Sequence, residues 1–427
     1  LRTSSAASDV YKRQGLKMSF LKYENDILKF EDISIREIAE GRATPFYCYS
    51  KQTLTNNFRE FSDSLTSLDA TVCFSLKSNS NLTILKTLTE LEAGGDVVSE
   101  WEMRKALQAG MKPNKIVFSG IGKTASDIQF AISNNCLQIN AESLDELDHI
   151  NRIASVSGKI QKVGIRINPD IQSETHKKIS TGSLEDKFGI SIEQTYEIFQ
   201  NRQNYPNLEI SSIAFHIGSN IKDLTPFQRT FEIIGELVAK INSETKKINT
   251  VDVGGGISPE KRNFTFEDYK NLIVKYFDTE NLKFIFEPGR LIAANAGILV
   301  SKVLYTKNIT GKKFVIIDAG MNDMMRPALY DAHHEIMPDV RTSEYDEINT
   351  DIVGPICESS DVFLNIQKFN KVKSGQYVIL KDVGAYGSTM SSNYNARPLI
   401  EELMVDGSQI RIIRKTQSYE DFIKNEI

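Results

Sequence analysis

Lys77 ends a short apolar run in the segment FSLKSN, Phe74–Asn79. The residues before it, Thr71–Leu76, are rich in β-branched and aromatic side chains, which is typical of a strand. An amine beside an apolar strand loses hydration, which lowers its pKa and frees it to form a Schiff base with an aldehyde. A lysine that extends out of a strand end and keeps its charge in water is the alternative. These six residues do not decide between the two.

Glycines and a carboxylate follow two later apolar runs. In VDVGGG, Val251–Gly256, three glycines would let backbone amides approach an anion such as a phosphate. In FEPGR, Phe286–Arg290, Glu287 could hold the ring nitrogen of a pyridine protonated, so that the ring accepts electrons, or it could simply pair with Arg290. Turn glycines and ion pairs are common, so neither segment is specific alone.

A histidine, and a thiol beside a carboxylate, are further candidates. His216, among apolar residues in AFHIGS, is either a core side chain or a ring that lies flat against a cofactor. In CESSD, Cys357–Asp361, the thiol could donate a proton and Glu358 could bind an ammonium group; a buried cysteine and a solvated glutamate are the alternative. His333 and His334 are adjacent, so their side chains diverge, and we expect no metal site.

The scaffold that the pattern predicts is a barrel. Eight β-type runs, each followed by an amphipathic helical pattern such as Phe227–Ile241, predict an α/β protein with a (β/α)8 TIM-type barrel, whose strand ends face one cavity. A doubly wound sheet with fewer strands is the alternative. The runs are Thr71–Leu76, Gly95–Val98, Lys115–Phe118, Leu137–Asn140, Val163–Ile167, Ser211–His216, Thr250–Val253 and Lys283–Phe286. The residues expected at the shared rim are Lys77, Ser99, Ser119, Asn140, Arg166, His216, Gly254–Gly256 and Glu287.

The rest of the chain predicts a second domain. After Gly289, strands with turn-type connections predict a mostly antiparallel β domain. We divide the chain into a non-native leader over residues 1–17, a lead-in over 18–45 that joins the β domain, the barrel over 46–292 and the C-terminal β domain over 293–427. Asn168–Gly189, the longest connection, is either a lid or merely a mobile loop. The later strands are expected at Gly297–Asn308, Lys313–Asp318, Ile352–Ile356, Tyr377–Leu380 and Gln409–Ile413.

Composition narrows the class of protein. Lys and Arg total 51 against 56 Asp and Glu, so neither nucleic acid nor an anionic membrane is an expected partner. No apolar run approaches the roughly 20 residues that a membrane helix needs. The four cysteines lie far apart and form no CxxC pair, which is typical of reduced thiols. We therefore expect a cytoplasmic protein.

Together the motifs resemble the fold-type III pyridoxal-phosphate-dependent decarboxylases, which have an alanine racemase-like fold. The resemblance runs from about Met18 to about Gly407 with the motifs in the family's order, and the combination is specific although no single member is. This chain has Phe74, Ser75 and Ser78 where the family usually has tyrosine and alanines, and we expect the site to tolerate these changes. The motifs are FSLKSN, GGDVVS, HIGS, VDVGGG, EPGR, MNDMMRPALYDAHHEI, CESSD and GAYGSTMSSNYNARP.

The resemblance implies a role for each site residue. It implies that pyridoxal 5'-phosphate forms a Schiff base with Lys77, that His216 stacks on its ring, and that Glu287 pairs with the ring nitrogen. In related enzymes the thiol and carboxylate of the CES motif come from the neighbouring subunit, so Cys357 and Glu358 would complete a site shared by a homodimer. The implied catalytic residues are Lys77, Cys357 and His216. The implied cofactor-binding residues are Lys77, Asp96, His216, Ser219, Gly255, Gly256, Glu287, Gly289, Arg290 and Tyr386. The implied substrate contacts are Arg290, Arg326, Tyr330, Glu358 and Tyr386.

Arg326 indicates the substrate within that family. A bidentate arginine suits a distal carboxylate, whereas ornithine-type enzymes bind a distal amine and would want an acid there. The expected reaction is decarboxylation of meso-2,6-diaminopimelate to L-lysine and carbon dioxide. A decarboxylase of ornithine, arginine or carboxynorspermidine is the alternative within the enzyme class, and a non-catalytic relative that keeps the cofactor is the alternative outside it.

Overall fold

A computed structural model of the chain describes residues 20–169, 187–245, 247–346 and 348–427. The strands are β1 (Leu21–Glu24), β2 (Ile27–Phe30), β3 (Ile33–Ser34), β4 (Phe46–Ser50), β5 (Ala70–Ser75), β6 (Gly94–Val97), β7 (Ile116–Phe118), β8 (Gln138–Ala141), β9 (Gln161–Ile167), β10 (Leu208–Phe215), β11 (Thr250–Asp252), β12 (Lys283–Phe286), β13 (Gly297–Ile309), β14 (Lys312–Ile317), β15 (Ile336–Pro338), β16 (Tyr345–Asp346), β17 (Asn349–Val353), β18 (Val362–Ile366), β19 (Phe369–Asn370), β20 (Tyr377–Leu380), β21 (Glu401–Asp406) and β22 (Gln409–Arg414). The α-helices are α1 (Ile35–Ala39), α2 (Lys51–Ser64), α3 (Leu82–Thr89), α4 (Glu100–Gln108), α5 (Ala125–Ser133), α6 (Leu144–Val156), α7 (Ile192–Gln200), α8 (Thr225–Thr245), α9 (Phe266–Tyr276), α10 (Arg290–Ala293), α11 (Arg326–Tyr330) and α12 (Tyr419–Ile423).

Strands β5 to β12 form a closed parallel barrel. They are short and mostly buried, with apolar runs such as the Ile-Val-Phe of β7 and a few buried polar residues such as Asp96, Asn140 and Asp252. The eight predicted barrel strands are confirmed, each end within three residues of its predicted position. The doubly wound alternative is wrong, because β12 pairs with β5 through Phe284 and Ala70 and closes the sheet.

The helices begin where the sequence supplies caps and pack through the apolar stripes that the pattern predicts. Ser99 caps α4 by accepting a hydrogen bond from the Glu102 amide. Across the interface of α8 and α9, the ring of Phe227 packs edge-on against Tyr269, with centroids 5.0 Å apart. No helix within the described ranges is both long enough and apolar enough to span a bilayer.

The second domain is built on a large mixed sheet with the order β18-β17-β14-β13-β4-β21-β22, to which β20 and β15 add through β13. Most of its pairs are antiparallel, as predicted, but β14–β17 and β4–β21 are parallel. The five predicted strands of this domain are confirmed, with ends shifted by up to three residues. Strands β15, β16, β18, β19 and β21 were not predicted from the sequence, because none of them contains an apolar run of more than three residues.

The sheet also receives the segments that precede the barrel. Strands β1–β3 form a small antiparallel sheet, and its Leu28 and Phe30 share a buried cluster with Ile298 and Leu403 of the large sheet. The predicted boundary at residue 46 assigns β4 to the barrel, but β4 hydrogen-bonds to β13 and β21 of the large sheet. The first barrel element is therefore α2. The predicted leader over residues 1–17 and most of the predicted lid loop, residues 170–186, lie outside the described residues.

Candidate active site

Lys77 lies in a single 3-10 turn, Leu76–Ser78, directly after β5. Its Nζ is 3.1 Å from Oδ2 of Asp96 on the neighbouring strand β6. Asp96 is completely buried, whereas 40% of the Lys77 side chain is exposed, because it faces the open mouth of the barrel. The amine is therefore held by an ion pair and is still accessible to a ligand.

The charges around Lys77 oppose the expected pKa shift. Burial lowers the pKa of its ammonium group, but Asp96, followed by Tyr386 and Glu287, favours the charged form, and the net shift is upward. The predicted lowering is wrong because a carboxylate 3.1 Å away outweighs the lost hydration. Lys77 therefore favours its protonated form as long as its ion pair with Asp96 is intact.

The turn that carries Lys77 is hydrogen-bonded to the β domain. The amide of Tyr386 donates to the carbonyl of Ser78 at 2.8 Å, and Nδ2 of Asn79 donates to the carbonyl of Gly384 at 3.0 Å. Tyr386 adopts a left-handed backbone conformation with a φ of 59°, which lets the loop after β20 turn back over the barrel. This loop covers one side of the barrel mouth.

Glu287 follows β12 and is buried among other acids. Its Oε1 accepts a hydrogen bond from the Ser119 hydroxyl at 3.3 Å. Burial, together with the charges of Asp252 and Asp96, raises the pKa of Glu287 well above its usual range. Glu287 therefore favours its protonated form, in which it can donate a hydrogen bond to a basic nitrogen.

His216 follows β10 and is a neutral imidazole. Its Nδ1 accepts a hydrogen bond from the amide of Gly255 at 3.3 Å, which leaves the ring proton on Nε2. Burial, followed by the charges of Lys77 and Arg166, holds the pKa of His216 well below its usual range. An uncharged ring at this position can stack on an aromatic ligand without introducing another cation.

The glycines after β11 form a cradle that side chains would fill. A Cβ at Gly255 would collide with the carbonyl oxygen of Glu287, and one at Gly256, whose φ is +100°, with the carbonyl oxygen of Gly218. Beside this cradle, Nε of Arg290 donates to the Ser219 hydroxyl at 3.2 Å. Backbone amides, a hydroxyl and a guanidinium group therefore line a space suited to an anion.

Two guanidinium groups flank the ring of Tyr386. Arg290 lies 4.9 Å and Arg326 5.8 Å from its centroid, and Arg326 also lies 5.6 Å from that of Tyr330. Arg326 is only 8% exposed, and in the described part of the chain its Nε has no hydrogen-bond partner. Burial, followed by the charge of Arg290, lowers the pKa of Arg326 to about 10. A buried donor without an acceptor marks a binding position for an anion.

Cys357 and Glu358 lie on an exposed loop of the β domain. Asp361 fixes this loop by accepting hydrogen bonds from the amides of Met321 and Ile356, both at 2.7 Å. Glu358 accepts from the Ser360 hydroxyl at 3.1 Å and from the hydroxyl of Tyr394, so its contacts stay within its own domain. Cys357 is the exposed cysteine, whereas Cys48, Cys73 and Cys136 are buried.

The rim prediction is correct for most of its residues but not for Ser99, whose hydroxyl caps α4. Ser119 and Asn140 are buried beneath Glu287 and hydrogen-bonded to each other at 3.1 Å. The sequence reasoning gave no role to Asp252 or Gln138, which belong to the same group of side chains. Gln138 and Asn140 are two residues apart in a strand and so point to the same side, which is the signal that could have found them.

Sequence and structure comparisons both match this chain to pyridoxal-dependent decarboxylases. The family described as pyridoxal-dependent decarboxylase, pyridoxal binding domain, matches residues 51–294. The diaminopimelate decarboxylase of Zymomonas mobilis is 40% identical over 94% of this chain and 97% of its own length, and that of Aquifex aeolicus is 37% identical over 95% and 97%. The crystal structure of diaminopimelate decarboxylase from Helicobacter pylori complexed with L-lysine is 40% identical and superposes with a TM-score of 0.87 over 92% of this chain and 98% of that one.

Replacing Asp96 with asparagine tests the ion pair. The substitution removes the charge that raises the pKa of Lys77 and leaves burial to lower it, so we expect the pKa to fall. Reductive methylation of Lys77 by formaldehyde, quantified by mass spectrometry against pH, should shift its midpoint to lower pH, with labelling on the acidic side increased about tenfold or more. Asp69→Asn, at an exposed pair with Lys283, should leave the midpoint unchanged. An unchanged midpoint in Asp96→Asn would contradict the assignment.

Proposed function

Because this chain belongs to the diaminopimelate decarboxylase family, we propose that it decarboxylates meso-2,6-diaminopimelate to L-lysine and carbon dioxide with pyridoxal 5'-phosphate as its cofactor. It is then a carboxy-lyase of lysine biosynthesis. The observation that carries the choice of substrate is the buried Nε of Arg326 beside Arg290, which has no hydrogen-bond partner among the described residues. The family membership carries the choice of reaction.

The residues at the barrel mouth fit this cofactor. The cradle at Gly255 and Gly256, with Ser219 and Arg290 beside it, would hold the phosphate through amides, a hydroxyl and a guanidinium group. Gly289 belongs to the same set, because a Cβ there would lie 3.0 Å from Oγ of Ser78. When bound, the cofactor supplies an electron-withdrawing ring that accepts the electron pair left by departing carbon dioxide.

The barrel residues then have separate tasks. Nζ of Lys77 would be the amine that holds the cofactor through its aldehyde group and that gives way to the substrate amine. Asp96 orients the amine of Lys77 and balances its positive charge through their ion pair. Glu287 would supply a hydrogen bond and a proton at the ring nitrogen, and the neutral ring of His216 would cover the cofactor face and exclude water from it.

The arginine pair selects a substrate with a distal carboxylate. A carboxylate can accept two parallel hydrogen bonds from the guanidinium group of Arg326 and satisfy its unpartnered Nε. Tyr330 and Tyr386 line the same space. A diamino acid without a distal carboxylate, such as ornithine, would bring an ammonium group towards the buried Arg326 and the half-buried Arg290, which like-charge repulsion disfavours.

The remaining groups come from a second subunit. We infer a homodimer in which Cys357 and Glu358 of one chain reach the barrel mouth of the other, so that Sγ of Cys357 protonates the carbon that has lost carbon dioxide and Glu358 binds an ammonium group. The exposure of Cys357 and its fixed loop support this inference. A cytoplasmic location is part of the proposal, and the absence of disulfides among the four cysteines supports it.

Lys77→Ala tests the function directly. Without the amine, we expect no release of carbon dioxide from diaminopimelate and no absorbance from bound cofactor, whereas Lys86→Ala, at an exposed position of α3, should behave as the wild type. The wild type should also be assayed with ornithine, arginine and carboxynorspermidine. Carbon dioxide released from only one of these three compounds would identify that compound as the substrate in place of diaminopimelate. No carbon dioxide from any of the four compounds would favour a non-catalytic relative. Full turnover by Lys77→Ala would overturn the mechanism.

Arg326→Lys tests the substrate contact. Lysine keeps the charge but cannot form the bidentate pair, so kcat/KM for diaminopimelate should fall about 10- to 100-fold, mainly through a higher KM. Arg411→Lys, on the exposed strand β22, is the matched control and should keep wild-type kinetics. A wild-type KM for diaminopimelate in Arg326→Lys would show that the distal carboxylate binds elsewhere.

Mixed dimers test the shared site. Lys77→Ala and Cys357→Ala homodimers should each form little lysine, because every site lacks one group. After subunits are mixed, half the dimers should contain one intact site, which restores about a quarter of wild-type activity. Mixing Lys77→Ala with Glu287→Gln should restore nothing, since both changes lie in the barrel. No recovery in the first mixture would mean that Cys357 acts within its own chain or not at all.

A further inference from the structure

A run of buried polar side chains lies behind Glu287. Nε2 of Gln138 donates to Oδ1 of Asn140 at 2.7 Å. Nδ2 of Asn140 donates to the Ser119 hydroxyl at 3.1 Å and to Oδ2 of Asp252 at 3.0 Å. These side chains come from β8, from β11 and from the residue directly after β7, and their hydrogen bonds join them in one connected network. Its final member is Glu287.

The hydrogen bonds of this network follow one consistent direction from donor to acceptor. Because Oδ1 of Asn140 accepts from Gln138, both hydrogens of its amide nitrogen are left for Ser119 and Asp252. The Ser119 hydroxyl already accepts one bond, and it uses its own hydrogen to donate to Oε1 of Glu287. Asp252 accepts a second bond, 3.1 Å long, from the amide of Gly254. Asp252 thus receives two N–H donors, whereas Glu287 receives one hydroxyl.

The acids in this part of the barrel cannot all be ionised. Asp96, Asp252 and Glu287 are 0%, 1% and 9% exposed, and Lys77 is already paired with Asp96. Burial and mutual repulsion raise the pKa of both Glu287 and Asp252, while a hydrogen bond from Glu287 lowers that of Asp252. Asp252, which accepts two N–H hydrogen bonds, therefore holds the negative charge, and Glu287, which accepts one hydroxyl hydrogen bond, holds the proton. The charged and titratable groups that face this pair are Lys77, Asp96, Arg166 and Cys73.

We propose that Asp252 is a positioning residue that acts through Glu287, as a fixed buried anion that keeps one proton on the pair formed by Glu287 and the cofactor's ring nitrogen. This inference rests on the proposed role of Glu287 at that nitrogen. With the cofactor bound, the proton that Glu287 shares with Asp252 would pass to the ring nitrogen, Glu287 would become a carboxylate, and Asp252 would keep its two N–H donors from Asn140 and Gly254. The charge of Asp252 makes loss of that proton to solvent less favourable. Ser119 has the opposite effect, because its hydroxyl stabilises the carboxylate form of Glu287.

Asp252→Asn removes the anion and nearly preserves the shape of the side chain. The holoenzyme should be prepared with cofactor labelled with nitrogen-15 in the ring, and the chemical shift of that nitrogen followed against pH. In Asp252→Asn the midpoint for loss of the ring proton should fall by about one to two pH units relative to the wild type. Asp69→Asn removes an exposed carboxylate and should leave the midpoint at its wild-type value. An Asp252→Asn midpoint equal to that of the wild type would overturn the proposal.

Ser119→Ala supplies a test of opposite sign. Losing the hydroxyl donor should raise the midpoint, whereas a network that merely holds the strands together would shift both variants in the same direction. If Asp252→Asn fails to fold, Ser119→Ala still tests the proposal. A lowered or unchanged midpoint for loss of the ring proton in Ser119→Ala would contradict the donor and acceptor roles on which the proposal depends.

Measurements of cofactor affinity distinguish loss of the Asp252 charge from a general loosening of the site in Asp252→Asn. Asp252→Asn should bind pyridoxal 5'-phosphate about tenfold more weakly. It should bind an analogue with a CH group in place of the ring nitrogen as tightly as the wild type does. Equal weakening for both compounds would mean a structural role and overturn the proposal. A wild-type protein that does not bind the cofactor would refute the proposed function itself, and this inference with it, whereas normal wild-type binding with an inert Asp252 would refute this inference alone.

Discussion

The burial of three acids around one lysine is the constraint on which the site depends. Asp96, Asp252 and Glu287 lie inside a closed barrel, where water cannot screen their charges. One charge is balanced by Lys77, one is held by donors from Asn140 and Gly254, and the third acid keeps its proton. Each side chain is therefore set in a definite protonation state by its neighbours. A site with these states already fixed needs little rearrangement when a charged ring enters it.

The path of the chain keeps this cluster in register with the second domain. The chain enters the barrel from β4 and leaves it into β13, and these two strands are hydrogen-bonded neighbours in the large sheet. Both ends of the barrel segment are thereby held by one sheet. The loop that carries Tyr386 is then close enough to hydrogen-bond to Ser78, one residue from Lys77. The substrate side of the site is fixed relative to the reactive amine by backbone contacts and does not rely on side-chain packing alone.

The sequence was most informative where chemistry follows a strand. Strand periodicity locates all eight barrel strands, and it therefore places Lys77, His216 and Glu287 at one rim from the sequence alone. It did not reveal the raised pKa of Lys77, because that shift depends on the distance to Asp96, which is 19 residues away in sequence. Strand β4 was misassigned for a similar reason, since pairing with β13 and β21 is a long-range property. The local sequence pattern predicts strands and the residues at their ends. The pKa values of site residues and the pairing of distant strands depend on three-dimensional distances that the local pattern does not contain.

The acidic and basic side chains of the site lie at different places, so the site is electrostatically polarised. The acids surround the amine of Lys77 and the side chain of Glu287, while Arg290 and Arg326 flank the ring of Tyr386. A ligand with a basic nitrogen at one end and anionic groups at the other is attracted in only one orientation. The buried guanidinium of Arg326 strengthens this preference, because its unpartnered Nε costs free energy until an acceptor arrives. The same arrangement that makes the empty protein less stable therefore makes binding of an anionic group more favourable and selects against a cation at that position.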